Sequence, residues 1–465
     1  MNAYDIIKLV MWAITVLISL STLHFGIFGI IGVFAKKTYP KAKNYHKFGI
    51  IIPARNEESV VAGLIESCYK NDYPQDMLHV FVIAHNCTDK TAEVARKLGA
   101  TVYEYNNENE KTMGYAFRHL FSKIEEDYGT QNYDGFILFN ADNILSKNYF
   151  EKMNDAFEAE GCTNIVTSFR NSKNFGTNYM SAMYGIHFAT GCRLEARGRT
   201  VCNCSTRVQG TGYVIPAEIV KDGWKYVTLT EDWEFSADQI IQGRKIKYCD
   251  EAIFYDEQPT DFKVMWRQRV RWAKGHLLVC LTRWWDLFKK IFSRKKVGQY
   301  SNRVSAFDLM VNISPLGIIY TVLSILQLIL TIIAPLIAHV DPANIWIDYA
   351  VSLCFSFGSG AVGAFFLAIA VFILEHKRIK NVPLGVKIGA VFFAPIFQLL
   401  ITPMQIVALF SRNLEWKTIP HSDQTNFDQL NVVEGAEETT PADETVEVAE
   451  ESVAEDATED AAKEN

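Results

Sequence analysis

Residues 136–150, FILFNADNILSKNYF, decide how this sequence folds. The apolar run Phe136 to Phe139 leads straight into Asn140-Ala141-Asp142-Asn143. A short apolar run that halts on a polar cluster is the pattern of a buried strand reaching the mouth of a sheet. A carboxylate there, hedged by amides, either caps a turn or holds something charged. Similar runs occur at Phe48–Ile52, His79–Ala84, Thr101–Tyr105 and Asn164–Phe169. Between them, SVVAGLIESCYK (59–70) and TDKTAEVARKLGA (88–100) place apolar residues at helical spacing. This alternation predicts an α/β domain of parallel strands with helical crossovers. Ligands bind such sheets at the carboxyl ends of the strands, where Pro53-Ala54-Arg55-Asn56-Glu57, Ala84-His85-Asn86 and Asn140-Ala141-Asp142 fall. These turns hold no G-x-G-x-x-G and no P-loop, so a diphosphate here needs a metal or arginines instead.

The chain has 465 residues, 49% hydrophobic, and the apolar ones are concentrated. Leu9–Ala35, Leu309–Ala338, Tyr349–Leu374 and Ile388–Ser411 contain no Asp, Glu, Lys or Arg. Each exceeds the ~20 residues that cross a bilayer core. The first is too long in its apolar run, and lacks a small-residue cleavage site, for a cleaved signal peptide. An integral membrane protein is expected. Lys36, Lys37, Lys41, Lys43 and Lys47 follow the first stretch, which predicts a cytosolic location for residues 36 to 305. Residues 303–338 are too long for one span and read as an interface helix leading into a tilted one. The loop at 339–347, without Lys or Arg, is expected outside, and the basic 375–380 inside. The last stretch carries Pro395 and Pro403. As a simple span it puts the C-terminal tail outside; broken or re-entrant, it keeps the tail inside.

The formal net charge of −7 conceals two opposed parts. From Glu434 onward there are 13 acidic residues and one lysine, a net of −12, which leaves +5 for the rest. That tail is low in complexity and lacks aromatic residues, so disorder is expected. Seven of the nine cysteines lie between Cys68 and Cys249 without a paired framework, which points to reduced thiols. Cys202 and Cys204, with Cys192, lack the second pair or neighbouring His of a zinc site.

Two motifs follow. TLTEDWEF (228–235) puts Asp232 at the start of a helical pattern, where alone it reads as a helix cap. QRVRW (268–272) opens a basic, aromatic helix: residues 263–296 hold eleven Lys or Arg against one acid, Asp286. By composition this is an interfacial amphipathic helix.

Taken in order, IIPARNEE (51–58), AHNCTDKTAEVA (84–95), NADN (140–143), TED (230–232) and QRVRW lie between candidate membrane spans. Together they resemble a membrane-embedded family-2 glycosyltransferase of the processive type, the group of hyaluronan, cellulose and poly-N-acetylglucosamine synthases. GTGYVIP from Gly210, DGW from Asp222 and WKTIPH from Trp416 add to the likeness, which covers roughly residues 46 to 300. It implies an α/β fold: a glycosyltransferase A-type, Rossmann-like domain inserted between transmembrane helices, with interfacial helices. The divisions expected are an N-terminal transmembrane helix (1–45), the cytosolic transferase domain (46–260) and basic interfacial helices (261–302). A transmembrane region (303–412) and a cytosolic segment with the acidic tail (413–465) follow.

The resemblance further implies a UDP-sugar donor, a growing β-linked glycan as acceptor, Mg²⁺ or Mn²⁺ as cofactor, and inverting transfer coupled to export. Pro53, Arg55, Glu57 and His85 are expected at the nucleotide, with Asn140, Gln268, Arg269 and Arg271 towards the diphosphate. Asp142 is expected to bind the metal, Asp232 to be the general base with Glu231 beside it, and Trp272, Gly210 and Thr211 to meet the acceptor. The tail is expected in the cytosol, the membrane channel is expected to pass the polymer, accessory export proteins fit as partners, and nucleic acid does not. Three positions depart from the family pattern: Asn140 stands for the first carboxylate of D-x-D, His85 for a frequent Asp, and Met113 for a frequent Lys. They keep two alternatives open, a single-addition transferase with a lipid acceptor and a catalytically impaired scaffold subunit.

Overall fold

The computed structural model describes residues 3–293, 302–338, 342–412 and 421–430. The acidic tail, Trp416 and the first residues of the loop read as external (339–341) lie outside these.

Helix α1 (Ala3–Phe34) precedes the sheet domain. There β1 (Phe48–Ala54), β2 (Leu78–His85), β3 (Thr101–Tyr105) and β4 (Gly135–Leu138) run parallel, in the order β3-β2-β1-β4. Crossover helices α2 (Val61–Tyr69), α3 (Thr91–Lys97) and α4 (Met113–Asp127) join them. Ile50, Ile51 and Ile52 are all buried because helices cover both faces of the sheet, which is why these strands read as continuous apolar runs.

Beyond β4 the sheet becomes mixed. A short β5 (Ile144–Leu145), helix α5 (Tyr149–Ala159) and β6 (Ile165–Ser172) come next. Helices α6 (Tyr179–Thr190) and α7 (Arg197–Val201), strand β7 (Tyr213–Pro216), helix α8 (Glu231–Gln242) and strand β8 (Ile246–Asp256) complete the domain. β7 lies antiparallel between β4 and β6, and β8 runs parallel to β6 with β5 antiparallel on its outer side. The all-parallel expectation therefore fails past β4.

Helix α9 (Phe262–Phe292) carries QRVRW and begins at Asp261, whose carboxylate accepts from the amides of Lys263 and Val264 at 2.8 and 3.0 Å. Next come α10 (Arg303–Ile313), α11 (Leu316–Ala338), α12 (Pro342–Leu374), α13 (Leu384–Leu399) and α14 (Ile401–Phe410). Four segments are long and apolar enough to cross a membrane: Asp5–Phe34, Leu316–Ile333, Ala343–Leu374 and Leu384–Phe410. The second starts at Leu316 and not, as the composition suggested, at Leu309. Leu309, Met310, Val311 and Ile313 pack into the core of the sheet domain, and the chain breaks at Ser314 and Pro315 before α11.

Helices α1 and α12 meet the domain at their C-terminal ends. Arg197 Nε donates to the Ala35 carbonyl at 2.8 Å, Arg193 pairs with Glu375 at 3.0 Å, and Arg378 with Asp250 at 2.9 Å. At the opposite end Lys8 and Asp348 pair at 2.5 Å. The α13–α14 segment behaves differently and stays against the domain along its length. Phe393 stacks on Tyr179 at 4.5 Å, Arg269 donates to the Phe397 carbonyl at 2.9 Å, and Val407 and Ser411 border a cavity of the sheet domain.

The junction between α1 and the domain is tight and polar. A Cβ at Gly198 would sit 1.9 Å from the Phe28 carbonyl oxygen, so only glycine lets the two backbones approach. Beside it Asp308 accepts from Arg199 at 2.7 and 2.9 Å and lies 2.9 Å from His24 Nε2. Arg199 is 1% exposed, so losing Asp308 leaves a buried cation with Glu195, 3.8 Å away, as its remaining ion-pair partner among the described residues. Asp308→Ala should destabilise the protein by ~3–5 kcal/mol. Thermal unfolding of the detergent-purified variant measures this; an unchanged midpoint contradicts it.

Candidate active site

The carboxyl ends of β1, β2 and β4 open into a cavity of about 600 Å³. Pro53, Arg55, Glu57, His85, Asn140, Asp142, Gln268 and Arg271 line it, eight residues gathered from four separate stretches of sequence. A second cavity of about 700 Å³ shares Met113, Asn140, Arg170, Gln268 and Arg271 with the first. It contains Gly210, Glu231, Asp232 and Trp272, then continues past Asn312, Ser314 and Gly317 to Gln398, Thr402 and Gln405 on the apolar helices.

Two of the anticipated residues are placed otherwise. Arg269 lines neither cavity: its guanidinium lies 3.8 Å above the Phe397 ring besides binding that residue's carbonyl, and it fastens α9 to α13. Thr211 is buried behind the wall, where Oγ1 accepts from the Asn140 amide at 2.9 Å and donates to Asn143 Oδ1. It positions the Asn140–Asn143 turn, and Gly210 alone of that pair reaches the cavity.

That turn holds two oxygens ready for a cation. Asp142 Oδ2 accepts from the Glu257 amide at 2.8 Å, and Oδ1 meets Asn143 Nδ2 at 3.3 Å. Asn140 Oδ1 is buried, without a hydrogen-bond partner among the described residues. An orphaned carbonyl oxygen close in sequence to a carboxylate fits Mg²⁺ or Mn²⁺, which favour oxygen ligands and keep places for water or phosphate. Among the described residues no three His, Cys, Asp or Glu side chains are gathered to hold a metal by themselves. The residues present therefore fit a cation that shares its shell with a ligand.

Further charges surround it. Asp256, at the end of β8, binds Arg170 Nε at 2.6 Å, and burial pushes its carboxyl up. His421 lies 2.9 Å from Glu57, and the Glu257 carboxylate accepts from the Ser422 and Asp423 amides at 3.0 and 2.9 Å. Burial pulls the His421 imidazole down, but Asp142, Glu57 and Glu257 outweigh it and hold its pKa up at about 9. His421 thus borders the first cavity as a protonated histidine. Arg170, Asp256 and Glu257 escaped sequence reasoning, because each gains its place only where β6 and the end of β8 come together.

The second cavity takes its charge from the first turn of α8. Glu231 is buried and Asp232 partly so; desolvation raises both carboxyls, and their mutual repulsion raises Glu231 further. Arg271 opposes this and is itself held by the Leu229 carbonyl at 2.9 Å. Gln268 Oε1 accepts from Tyr184 at 2.7 Å. The Trp272 indole is edge-on to Tyr184 and Phe188, with centroids 6.1 and 6.3 Å apart, so its plane is fixed by packing.

Comparisons with known proteins agree with this arrangement. Residues 46–275 match the family described as glycosyltransferase like family 2. The chain belongs to glycosyltransferase family 2. It is 27% identical over 262 residues to the probable glycosyltransferase YdaM of Bacillus subtilis, covering 55% of this chain and 60% of that protein. It is 21% identical over 388 residues to the poly-beta-1,6-N-acetyl-D-glucosamine synthase of Staphylococcus epidermidis, 82% of this chain and 87% of that one. With the beta-monoglucosyldiacylglycerol synthase of a Nostoc species it shares 24% over 297 residues, 61% of this chain and 60% of the relative. The transferase thus spans 60% of the length of the first and the third. A solved mannosyltransferase from Pyrobaculum calidifontis, in complex with GDP-Man and Mn²⁺, superposes with a TM-score of 0.52 at 12% identity. That match covers 87% of this chain and 99% of the other, and shows the shared A-type fold.

Replacing Asn140 by Asp should tighten Mn²⁺ binding, since a carboxylate adds a full negative charge where a neutral oxygen now stands. Titration of Mn²⁺ by electron paramagnetic resonance reads this without turnover; unchanged or weaker binding means the cation sits elsewhere.

Proposed function

We propose that this family-2 glycosyltransferase moves a sugar from a UDP-sugar onto the end of a growing β-linked polysaccharide, with inversion, and passes the product into the membrane. The observation that carries this reading is the second cavity, which begins at Asp232 and continues with polar side chains between apolar helices. Asn312, Ser314, Gln398, Thr402 and Gln405 offer hydrogen bonds along a path where a lipid chain needs none.

In this reading the first cavity holds the nucleotide and diphosphate, and Trp272 offers the acceptor's terminal sugar a flat apolar face. Asp232 takes the proton of the acceptor hydroxyl as its oxygen attacks the anomeric carbon. The bond from that carbon to the diphosphate oxygen breaks, and UDP departs. Arg271 and Gln268, shared by the two cavities, stand where the bond breaks and stabilise the charge left on the diphosphate. A bound Mg²⁺ or Mn²⁺, held by Asp142 and Asn140, adds positive charge there.

The α1, α11 and α12 helices are the proposed crossings, with the sheet domain on the cytosolic side as the lysines after α1 require. The α13–α14 segment, held to the domain along its length, returns the chain to residue 421 on that same side.

A lipid acceptor is the second reading, favoured by Leu316, Leu367 and Ile401 in the same cavity. Product length after incubation with one radiolabelled UDP-sugar separates the two: a ladder of sizes supports the polymer, a single glycolipid the alternative.

Asp232→Asn should lower turnover ~10²–10⁴-fold while UDP binding persists. The base works deprotonated, and burial raises its pKa, so activity should fall with decreasing pH well above the ~3.9 of an exposed aspartate. A pH–rate profile without an acid limb in that region, or an unaltered rate in the variant, excludes Asp232 as base.

Trp272→Ala should separate elongation from chemistry. UDP-sugar hydrolysis by water needs no acceptor sugar and should survive in part, while polymer formation falls much further. Equal losses of both activities would instead assign Trp272 to anchoring α9.

A further inference from the structure

We propose that Glu195 and Arg207, an ion pair on the wall of the second cavity, form a charge filter that admits an uncharged sugar of the acceptor chain and turns away an anionic one. The inference rests on the reading of this cavity as the acceptor's path.

Glu195 stands in the π-helical turn Gly191–Ala196 that follows α6, and Arg207 lies on the segment before β7. Both line the cavity, and Arg207 Nη1 donates to Glu195 Oε2 at 2.5 Å. Glu195 Oε1 and the other Arg207 nitrogens make no hydrogen bond among the described residues. None of them is a buried atom lacking a partner, so they keep access to the open space. The same holds of the Gln209 and His276 side chains on this wall, and of His187, exposed between the buried Ile186 and Phe188. Thr190 Oγ1, also at the cavity, is buried without a partner among the described residues. Packing holds the group in place: the Arg207 guanidinium lies 4.7 Å over the Trp233 ring, and the His276 ring is 4.1 Å from it.

Folding alone does not leave so many polar groups uncommitted around one interior space, since interior polar groups are ordinarily paired. A pyranose supplies what they lack, because each hydroxyl both donates and accepts. The position suits a sugar close to the reacting end. A Cβ on Gly210, the neighbour of Gln209, would lie 3.7 Å from Asp232 Oδ2. His276 follows Trp272 by one helical turn, ~6 Å along α9. Trp272 meets the terminal sugar in the reading above, which leaves the ion pair and His276 to the sugar behind it. Charge then decides which sugar fits. Burial pushes both imidazoles down, His187 to about 4 and His276 to about 3, so both rings are neutral at physiological pH. Burial raises the Glu195 carboxyl, but Arg207 and Arg199 outweigh it and hold it ionised. The pair therefore presents one charge of each sign. A uronate or phosphate that approaches Arg207 meets the Glu195 carboxylate as well, and its loss of water goes uncompensated.

Saturation-transfer NMR on the full-length protein in detergent, with UDP and Mn²⁺ present, tests this with cellotetraose and chitotetraose, each beside its C6-oxidised glucuronate form. The wild type should bind a neutral tetrasaccharide at least about tenfold tighter than the oxidised form of the same chain. Glu195→Gln leaves Arg207 without its carboxylate and should shift that ratio about tenfold towards the anionic form. A pair with a merely structural role would weaken both ligands alike and leave the ratio where it was. The double variant Glu195→Gln/Arg207→Gln removes both charges and should return the preference to the neutral form, which covers the case of an unfolded single variant. An unchanged ratio in Glu195→Gln overturns the filter. So does equal binding of the two forms by a wild type that yields a ladder of product sizes, and the polysaccharide reading then stands. A single glycolipid product with no tetrasaccharide bound overturns both.

Discussion

The charged wall of the second cavity depends on one close approach between helices. Gly275 of α9 passes Thr230 so tightly that a Cβ there would lie 2.4 Å from the threonine side chain. This contact brings the first turn of α8 against the third and fourth turns of α9. Glu231 and Asp232 then face Arg271, and motifs more than thirty residues apart in sequence become one surface. The electrostatics reinforce the packing. The two adjacent carboxylates repel each other, and the positive charge of Arg271 offsets part of that cost.

The sheet was legible wherever its strands are buried on both faces. β1 to β4 appear in the sequence as apolar runs, and the polar residues that end them mark the cavity mouth. β8 was not legible, because IKYCDEAIFYD interrupts its apolar residues with Lys247 and Asp250. Both are satisfied by distant partners: Lys247 donates to Asn203 Oδ1 at 2.6 Å, and Asp250 pairs with Arg378. Such pairings exist only after folding. Arg269 shows a different failure, since helical spacing was available and the motif overrode it. Gln268, Arg271 and Trp272 follow the three- and four-residue spacing of one helix face, whereas Arg269 is turned about 100° away from Gln268, towards α13. Asp142 and Asp232 were findable as motif residues; Arg170, Asp256 and Glu257 carry no motif and become neighbours only through the sheet.

The membrane boundary has a similar explanation. Residues 309–313 are as apolar as a span, yet they follow Asp308, whose carboxylate is committed to Arg199 and His24. A charge in that network holds α10 in the domain, and the apolar run after it becomes core. At the other boundary, Arg269 and Tyr179 hold α13 to the domain. Composition reports that a segment can leave water; polar contacts at its ends decide what it is buried against.

The departures from the family pattern acquire a physical sense in the charge balance of the first cavity. Glu57, Asp142, Asp256 and Glu257 already converge there, with Arg55, Arg170, Arg271 and His421 as countercharges. A carboxylate at 140 or at 85 would add to a cluster in which Asp256 is already pushed towards its neutral form by burial and by Asp142. Neutral side chains at these positions leave the repulsion lower.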